Sequence, residues 1–508
     1  MTDPVDQVVH ISAAELRPRF SELVASGHRL ALVAGHHDLT GRDGGAGEVI
    51  RVVYVLVSTH PDSRVELHVR LPVGDPMLPS LADVSFTAGR FEREVQDLFG
   101  ARLSGHHQPA RLVLHQHWPA GWHPMRHDAG PPPAFDNEAE SYPFLTVEGP
   151  GVYEIPVGPV HAGVIEPGHF RFSVVGETIL NMKARLWFVH KGIERLFQGR
   201  LPDGGVELAE RTSGDTAVGH NLAFCLAVEA AARCTPPYEA QVIRAVLLEL
   251  ERLYNHITDL GAMGNDVAFG VAHAHTMRIR EQLLRLNAGI TGHRLLRGGV
   301  VPGGAVVAQL PDEGTIAAVR DDVHEVVEIM MANATVVDRF AGTAVLSADD
   351  AAQMGTLGYI ARASGLDVDA RRDHPFADVY STLTVPVLTD GDVMSRFQVR
   401  VAEIDASVAL LAELLPRVRP GRFVTAVESS GHPGQVPGHG VGLVEGWRGT
   451  IAHRVELAAD GTLARVKIVD PSFFNWPALP VALAGDTIVP DFPLANKSFN
   501  LSYAGNDL

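Results

Sequence analysis

Two side chains of this 508-residue chain, Cys225 and Cys234, can supply a thiolate. That number excludes a disulfide framework and any all-cysteine zinc or iron–sulfur site within the chain. The 25 histidines are scattered. None forms an H-x3-H or H-E-x-x-H pair on a convincing helix face. His273 and His275, two apart, point to different sides of a helix. Most histidines therefore read as surface or core residues. His161, in GPVH, and His169, in EPGH, have two readings. An imidazole titrates near neutrality, which suits proton donation to a bound molecule. A histidine after Gly-Pro can equally tie down a turn, and both readings stay open.

In RTSGDTAVGH, Ser213 and Thr216 lie three apart and His220 follows four residues later. Neutral hydroxyls at that spacing are poor metal ligands. A lone histidine opening a helical run is usually a satisfied polar residue. A denser set follows: Arg244, Glu249, Glu251, Arg252, Asn255, His256, Asp259, Asn265 and Asp266. Buried charges are costly unless paired, so any that face inward must form a network. Salt bridges and surface charge are the expectation for most, with Asp266 and Arg294 singled out for network roles. The glycine-rich runs 298–304 and 431–440 lack the phosphate-loop pattern, and close backbone packing explains them. No dinucleotide fingerprint is present.

These residues need elements to hold them. Residues 1–128 read as one α/β unit, with a helix over 13–25 and strands over 29–34, 50–58 and 64–71. A helix over 89–100 has Phe91, Val95, Leu98 and Phe99 on one face and Gly100 as its cap. Glu92, Arg93, Glu94 and Asp97 occupy the rest of its circumference. A proline-rich, then acidic stretch, 129–142, reads as a linker. Strand alternation over 143–180 gives way to helical period over 183–199, 217–233, 238–260, 267–290, 313–341 and 395–416. Strands return over 440–470, with a turn at Asp460–Gly461. The expected fold is α+β: a small α/β domain, then a large, mainly helical domain over 143–508 with peripheral strands.

Composition limits the setting. Hydrophobic residues make up 46% and charged residues 20%, enough for at least one large core. The net charge of −18 opposes sequence-independent nucleic-acid binding. No stretch reaches the roughly 20 apolar residues of a membrane span, and no signal peptide opens the chain. The expected compartment is the cytoplasm, with membrane contact through partners.

Three stretches carry a resemblance. FEREVQDLFG, RLSGHHQPARLVL and GWHPMRHD resemble the C-type subunit of NADH:quinone oxidoreductase, respiratory complex I, over about 1–128. The matching residues are Glu92, Arg93, Glu94, Asp97, Gly100, His123, Pro124, Arg126 and Asp128. GPVHAGVIEPGHFRFSVVGETI with VHKGIERL resembles the start of the D-type subunit of complex I and of the large subunits of membrane-bound [NiFe] hydrogenases. YEAQVIRAVLLELERLYNHITDLGAMGNDVAF, continuing to LNAGITGHRLLRGGVVPGG, is similar to the large-subunit bundle of the formate hydrogenlyase type. Fusion of C-like and D-like parts is itself a feature of that branch.

The resemblance implies a membrane-associated oxidoreductase subunit. Its hydrogenase relatives hold nickel and iron with two C-x-x-C pairs, which fall here on Ser213 and Thr216, and on Ser502 and Gly505. All four sulfurs are missing, so a hydrogenase centre is not expected. His220 takes a position next to the lost metal. In complex I the vacated cavity binds quinone, with a histidine that falls on His161 and a tyrosine whose place is Gly214 here. Tyr503 reaches that cavity if the C-terminus packs there. The implied site is therefore His161 as proton donor, with His169, Ser213, Thr216 and His220 lining a cavity for quinone or another acceptor. No cofactor is expected in this chain itself. The implied partners are a B-type iron–sulfur subunit, which brings electrons in, and antiporter-like and H-type membrane proteins. NADH, if it is the donor, binds elsewhere. The implied location is the cytoplasmic face of the membrane. A subunit that only assembles the complex is the alternative.

Overall fold

The computed structural model describes residues 5–39, 47–60, 62–136, 142–162, 165–427 and 438–508. The chain divides into two compact units, one of residues 1–145 with 186–190 and 507, the other of 146–185, 191–506 and 508.

The first unit is built on a four-stranded sheet. Strands Arg29–Asp38, Val49–Thr59 and Asp62–Pro72 pair antiparallel, and Val5–Ile11 adds a parallel edge strand beside Asp62–Pro72. The middle strand is buried almost end to end, because its runs of Val and Ile are covered on both faces. The helix Phe86–Phe99 begins at Ser85, whose hydroxyl accepts from Ala88 N–H, and ends at Gly100 with φ +80°. Only glycine holds that conformation without strain. This helix is covered on its charged side as well. Glu92, Arg93, Glu94 and Asp97 are all buried. They are paired instead of solvated: Asp97 Oδ2 accepts from the backbone N–H of Leu112, Val113 and Leu114 at 2.8–3.2 Å. Phe99 lies over Gly35, where a Cβ would come within 2.4 Å of its ring.

In the second unit, strands Val152–Val157, His169–Val175 and Thr178–Arg185 form an antiparallel sheet. The helix expected over 183–199 is corrected here. Residues through Arg185 join that ladder, with Arg185 opposite His169, and only Ile193–Phe197 is helical. Cross-strand pairing overrides the local helical period. The single helix expected over 313–341 is two, Glu313–Met331 and Ala334–Phe340. Asn333 breaks it by capping the second with its side-chain oxygen.

The 29-residue helix Tyr238–Asp266 is the axis of the bundle. It packs on Ala217–Ala232, Gly270–Thr291 and Val393–Leu414. Gly261 lets one crossing close, since a Cβ there would fall 1.8 Å from Thr276 Oγ1. Strands His439–Gly446, Gly449–Leu457 and Leu463–Val469 form a second antiparallel sheet. Gly440 and Gly442, on one face of the first strand, meet the backbone of Ala227 and Ala223. Small residues spaced two apart on the strand and four apart on the helix bring the two backbones together. Residues 431–437 of the second glycine-rich run lie outside the described residues. At the first run, Gly303 and Gly304 sit against the carbonyls of Thr425 and Phe423.

Candidate functional site

The segment before the helix Ala217–Ala232 and the C-terminal turn, nearly 300 residues apart in sequence, meet in the second unit. Ser213 Oγ and Ser502 Oγ are 2.7 Å apart. Each hydroxyl has one proton, which fixes the direction of the chain they form. Gly505 N–H donates to Ser502 Oγ at 2.8 Å, Ser502 to Ser213, and Ser213 to Asp215 Oδ1 at 3.0 Å. Thr216 Oγ1 also donates to Asp215 Oδ1, at 3.0 Å. The chain ends on an anion: Arg448 grips Asp215 with two bonds of 2.7 Å. Desolvation pushes the half-buried Asp215 carboxyl up, but the charge and hydrogen bonds of Arg448, with Ser213 and Thr216, bring it down to about 2.

Arg448 is itself positioned. Its guanidinium lies 3.9 Å from the Trp447 ring centre, and its Nε donates to Asn500 O at 2.6 Å. Trp447 Nε1 donates to Thr216 Oγ1 at 3.1 Å. The elements supply these groups at their ends: Trp447 and Arg448 form the tight turn between two strands, and Thr216 is the residue before a helix.

His220, one turn into that helix, is fully buried. Its Nε2 lies 2.9 Å from Asp470 Oδ2 and its Nδ1 lies 3.1 Å from His453 Nε2. Burial works to raise the Asp470 carboxyl, yet the hydrogen bond and charge of His220 hold it below its usual value. A carboxylate there accepts from Nε2, so that ring nitrogen of His220 carries a proton. Asp470 also blocks the position of Gly505, where a Cβ would fall 2.6 Å from its carboxyl. Glu251 caps the same helix, accepting from Val218 N–H at 2.7 Å and Gly219 N–H at 2.9 Å. Burial dominates its titration and pushes it up to about 8.

His161 and His169 sit in a neighbouring cluster. His161 Nε2 is 2.8 Å from Gly168 O, and His169 Nδ1 is 3.2 Å from Gly158 O. Each histidine thus bonds the stretch that holds the other. The His161 ring lies 5.9 Å from Phe170, and Tyr503 packs on Phe170 at 6.5 Å and on Trp476 at 4.9 Å. Tyr503 directly follows Ser502, so this aromatic cluster abuts the hydroxyl chain.

The five residues singled out from sequence therefore fall into two groups. Ser213, Thr216 and His220 surround one polar centre, and His161 and His169 belong to the adjoining loop. Sequence reasoning missed Asp215, Trp447, Arg448, His453 and Asp470. Asp215 stood inside the quoted motif, and Trp447–Arg448 in a turn rich in glycine. The charges of 244–259 form salt bridges, as expected for most, but buried and not surface ones: Arg244, Glu249, Glu251, Arg252, His256 and Asp259 are buried. Asp266 and Arg294 are the exceptions, since Arg294 makes an exposed pair with Glu281 and Asp266 is only partly covered. Cys225 is buried against Asn221, and Cys234 contacts Ala426 O.

An α/β unit, and a helical unit in which an early motif and the C-terminus close one polar centre, define the class: fused C-like and D-like subunits of the complex I and hydrogenase type. The comparisons agree. Residues 10–133 match the family described as respiratory-chain NADH dehydrogenase, 30 Kd subunit, and residues 266–437 that of the 49 Kd subunit. Hydrogenase-4 component G of Escherichia coli is 34% identical, over 82% of this chain and 73% of its own. Formate hydrogenlyase subunit 5 of the same organism is 31% identical, over 90% and 81%. The fused C/D-type subunit of NADH-quinone oxidoreductase from Phocaeicola vulgatus is 28% identical, over 90% and 91%. A chain in the structure of the membrane-bound sulfane sulfur reductase, an archaeal respiratory membrane complex, shares the fold with a TM-score of 0.65. That likeness has 23% identity and covers 70% of this chain and 99% of the other. The chain belongs to the complex I/membrane-bound hydrogenase large-subunit superfamily, in its fused C/D form. Among the described residues no helix is long and apolar enough to cross a membrane.

Proposed function

We propose that this chain is the large peripheral subunit of a membrane-bound, complex I-like oxidoreductase, and that its polar centre serves an organic acceptor, a quinone, and no nickel–iron group. The donor set carries this reading. The four positions that bear thiolates in the hydrogenase relatives hold Ser213, Thr216, Ser502 and Gly505. Three hydroxyls and a glycine do not fit nickel and low-valent iron, which need soft sulfur ligands. The hydroxyls are also committed to one another and to Asp215. A quinone asks for something else, hydrogen-bond donors beside an apolar wall. His161 and Tyr503 flank Phe170 in that way. His161 is the proton donor in this reading, with His169 holding its loop and Ser213, Thr216 and His220 fixing the polar side.

Electrons enter from a B-type iron–sulfur partner. Antiporter-like and H-type membrane proteins complete the complex, on the cytoplasmic face. The relatives named as subunits of formate hydrogenlyase and NADH-quinone oxidoreductase support that assembly. The test is affinity purification of the tagged chain from mildly solubilised membranes, with mass spectrometry of what is recovered. Co-purification of an iron–sulfur subunit and membrane proteins is the expected result, and the chain alone would overturn it.

A second reading has its own observation. His161 and His169 both bond backbone carbonyls of one loop, and Ser213 closes directly on Ser502. A centre so self-satisfied also fits a subunit that assembles the complex without chemistry. His161→Ala, Ser213→Ala and Thr216→Ala separate the two: quinone reduction by the purified complex falls if the centre is catalytic and is unchanged if it is a scaffold.

A further inference from the structure

Beside Trp447 lies a second set of buried ionisable groups, and its charges do not balance. Arg252 pairs with Glu249 at 3.2 Å and Glu403 at 3.4 Å. Arg362 pairs with Glu403 at 2.5 Å, Glu445 at 2.9 Å and Asp369 at 3.4 Å. Arg371 pairs with Asp369 at 2.7 Å and Glu249 at 3.1 Å. None of these seven side chains is more than 1% exposed. Four carboxylates thus face three guanidiniums. The hydroxyls of Ser407 and Thr450 and the N–H of Ala370 also bond the set, but carry no charge. With every group in its ordinary state the cluster holds one uncompensated negative charge away from water, which is costly. Asp373, whose Oδ2 accepts from Asp369 N–H at 2.9 Å, is balanced by Arg372 at 2.8 Å. The other titratable side chain bonded to the set is His256, whose Nε2 is 2.7 Å from Glu403 Oε2.

We propose that this cluster is a proton-binding site with His256 as its carrier. The Nε2–H stays donated to Glu403, and one proton from water binds at Nδ1, taking the cluster from one net negative charge to neutrality. Nδ1 is the available atom: it is buried and has no hydrogen-bond partner among the described residues. The groups facing His256 come from each element packed on it. Arg252 on its own helix and Arg400 on Val393–Leu414 oppose a second positive charge, and Glu403 on that same helix favours it. Tyr359 and Trp447 add neutral rings, each 6.0 Å away. Burial, with the two arginines, outweighs Glu403 and keeps the histidine below its ordinary pKa. The site is therefore empty near neutrality and fills as the pH falls. Glu445, raised by burial and by Asp369, is the competing carrier.

Loading is felt at the polar centre, because Trp447 touches His256 on one side and bonds Thr216 on the other. That link deepens the acceptor reading and rests on it for its use, but the titration does not. The experiment is a pH titration of the full chain labelled with [15N]histidine, following ring nitrogens by NMR. His256→Gln assigns the signal, and Trp447→Phe assigns it by ring-current shift if that variant does not fold. The expected result is a passage from one protonated ring nitrogen to two, with a midpoint below that of an ordinary histidine. Tryptophan fluorescence should change with the same midpoint and lose that change in Trp447→Phe. Glu403→Gln should lower the midpoint further. A single neutral tautomer, or a permanent imidazolium, at every pH where the chain stays folded overturns the proposal. So does a titration that Glu445→Gln abolishes while His256 stays neutral. None of these outcomes depends on recovering a complex, so this proposal and the acceptor reading can fail separately.

Discussion

At the scale of single residues, the polar centre is defined by hydroxyls brought together from distant parts of the chain. Ser213 and Ser502 stand as close as their hydroxyls allow, 2.7 Å. Cysteines placed at both positions would bring their sulfurs side by side. The double variant Ser213→Cys, Ser502→Cys should crosslink under mild oxidation, read as the loss of two hydrogens in intact mass. Free thiols in the folded chain would mean that the C-terminus does not pack on Ser213. The fourth position behaves differently. A side chain at Gly505 meets Asp470 within 2.6 Å, so Gly505→Ala should destabilise by about 1–3 kcal/mol in urea unfolding, the usual cost of overpacking. A longer side chain at Gly505 is therefore accommodated only if Asp470 moves. Part of this was legible beforehand. The spacing of Ser213, Thr216 and His220 marked the motif, and the resemblance paired it with Ser502 and Gly505. The residues that complete the polar centre were not legible. Arg448 and Asp470 come from strands and loops more than 200 residues away, and no local pattern joins them to Asp215 or His220.

The elements explain which charges matter. The sequence places Arg244, Glu249, Arg252 and His256 on one helix but does not say what covers it. The period of the hydrophobic stripe is that of any packed helix. Only the approach of Gly358–Ala363, Val393–Leu414 and His439–Gly446 from other parts of the chain turns its polar face inward. The same blindness hid the burial of Glu92 and Asp97, whose helix is covered all round. The strands and the long helices, by contrast, were readable because their periods run for many residues. Ends and breaks, such as Asn333 and Arg185, depended on caps and pairing. The energetic consequence is a contrast between two arginines. Arg362→Met leaves Glu403, Glu445 and Asp369 without their shared guanidinium and should cost about 3–5 kcal/mol in denaturant unfolding. Arg294→Ala breaks an exposed pair with Glu281 and should cost roughly 0–1 kcal/mol. Equal effects would mean that the buried cluster is solvated after all.

For the whole molecule, the buried acids set opposite pH limits. Asp369 is held down to about 2, because Arg371 and Arg362 outweigh its burial. An acid depressed in the folded state stabilises above its unfolded pKa of about 3.9, and that stability is lost as pH falls towards 2. Asp215, also at about 2, acts in the same window. Glu92 and Glu251 run the other way. Burial raises Glu92 to about 7, against hydrogen bonds from Ser80, Leu81 and Tyr54, and raises Glu251 to about 8. An acid raised in the folded state stabilises fully below its unfolded pKa of about 4.3, and that stability drains away as pH rises through the folded value. The net charge of −18 at pH 7 adds self-repulsion on the same alkaline side. Stability should therefore peak in mildly acidic solution, between these two windows, and not at neutrality. Glu92 belongs to the unit of residues 1–145 and Glu251 and Asp369 to the other, so the limits can be assigned. Hydrogen exchange by mass spectrometry should show protection around Tyr54 and Phe91 falling between about pH 4 and 7, and Glu92→Gln should flatten that fall without touching the bundle. Glu251→Gln should do the same for the helix Ala217–Ala232 and leave the first unit unchanged. If both variants keep the full alkaline loss, the two carboxyls are ionised in the folded chain and their backbone N–H bonds, not burial, govern their charge.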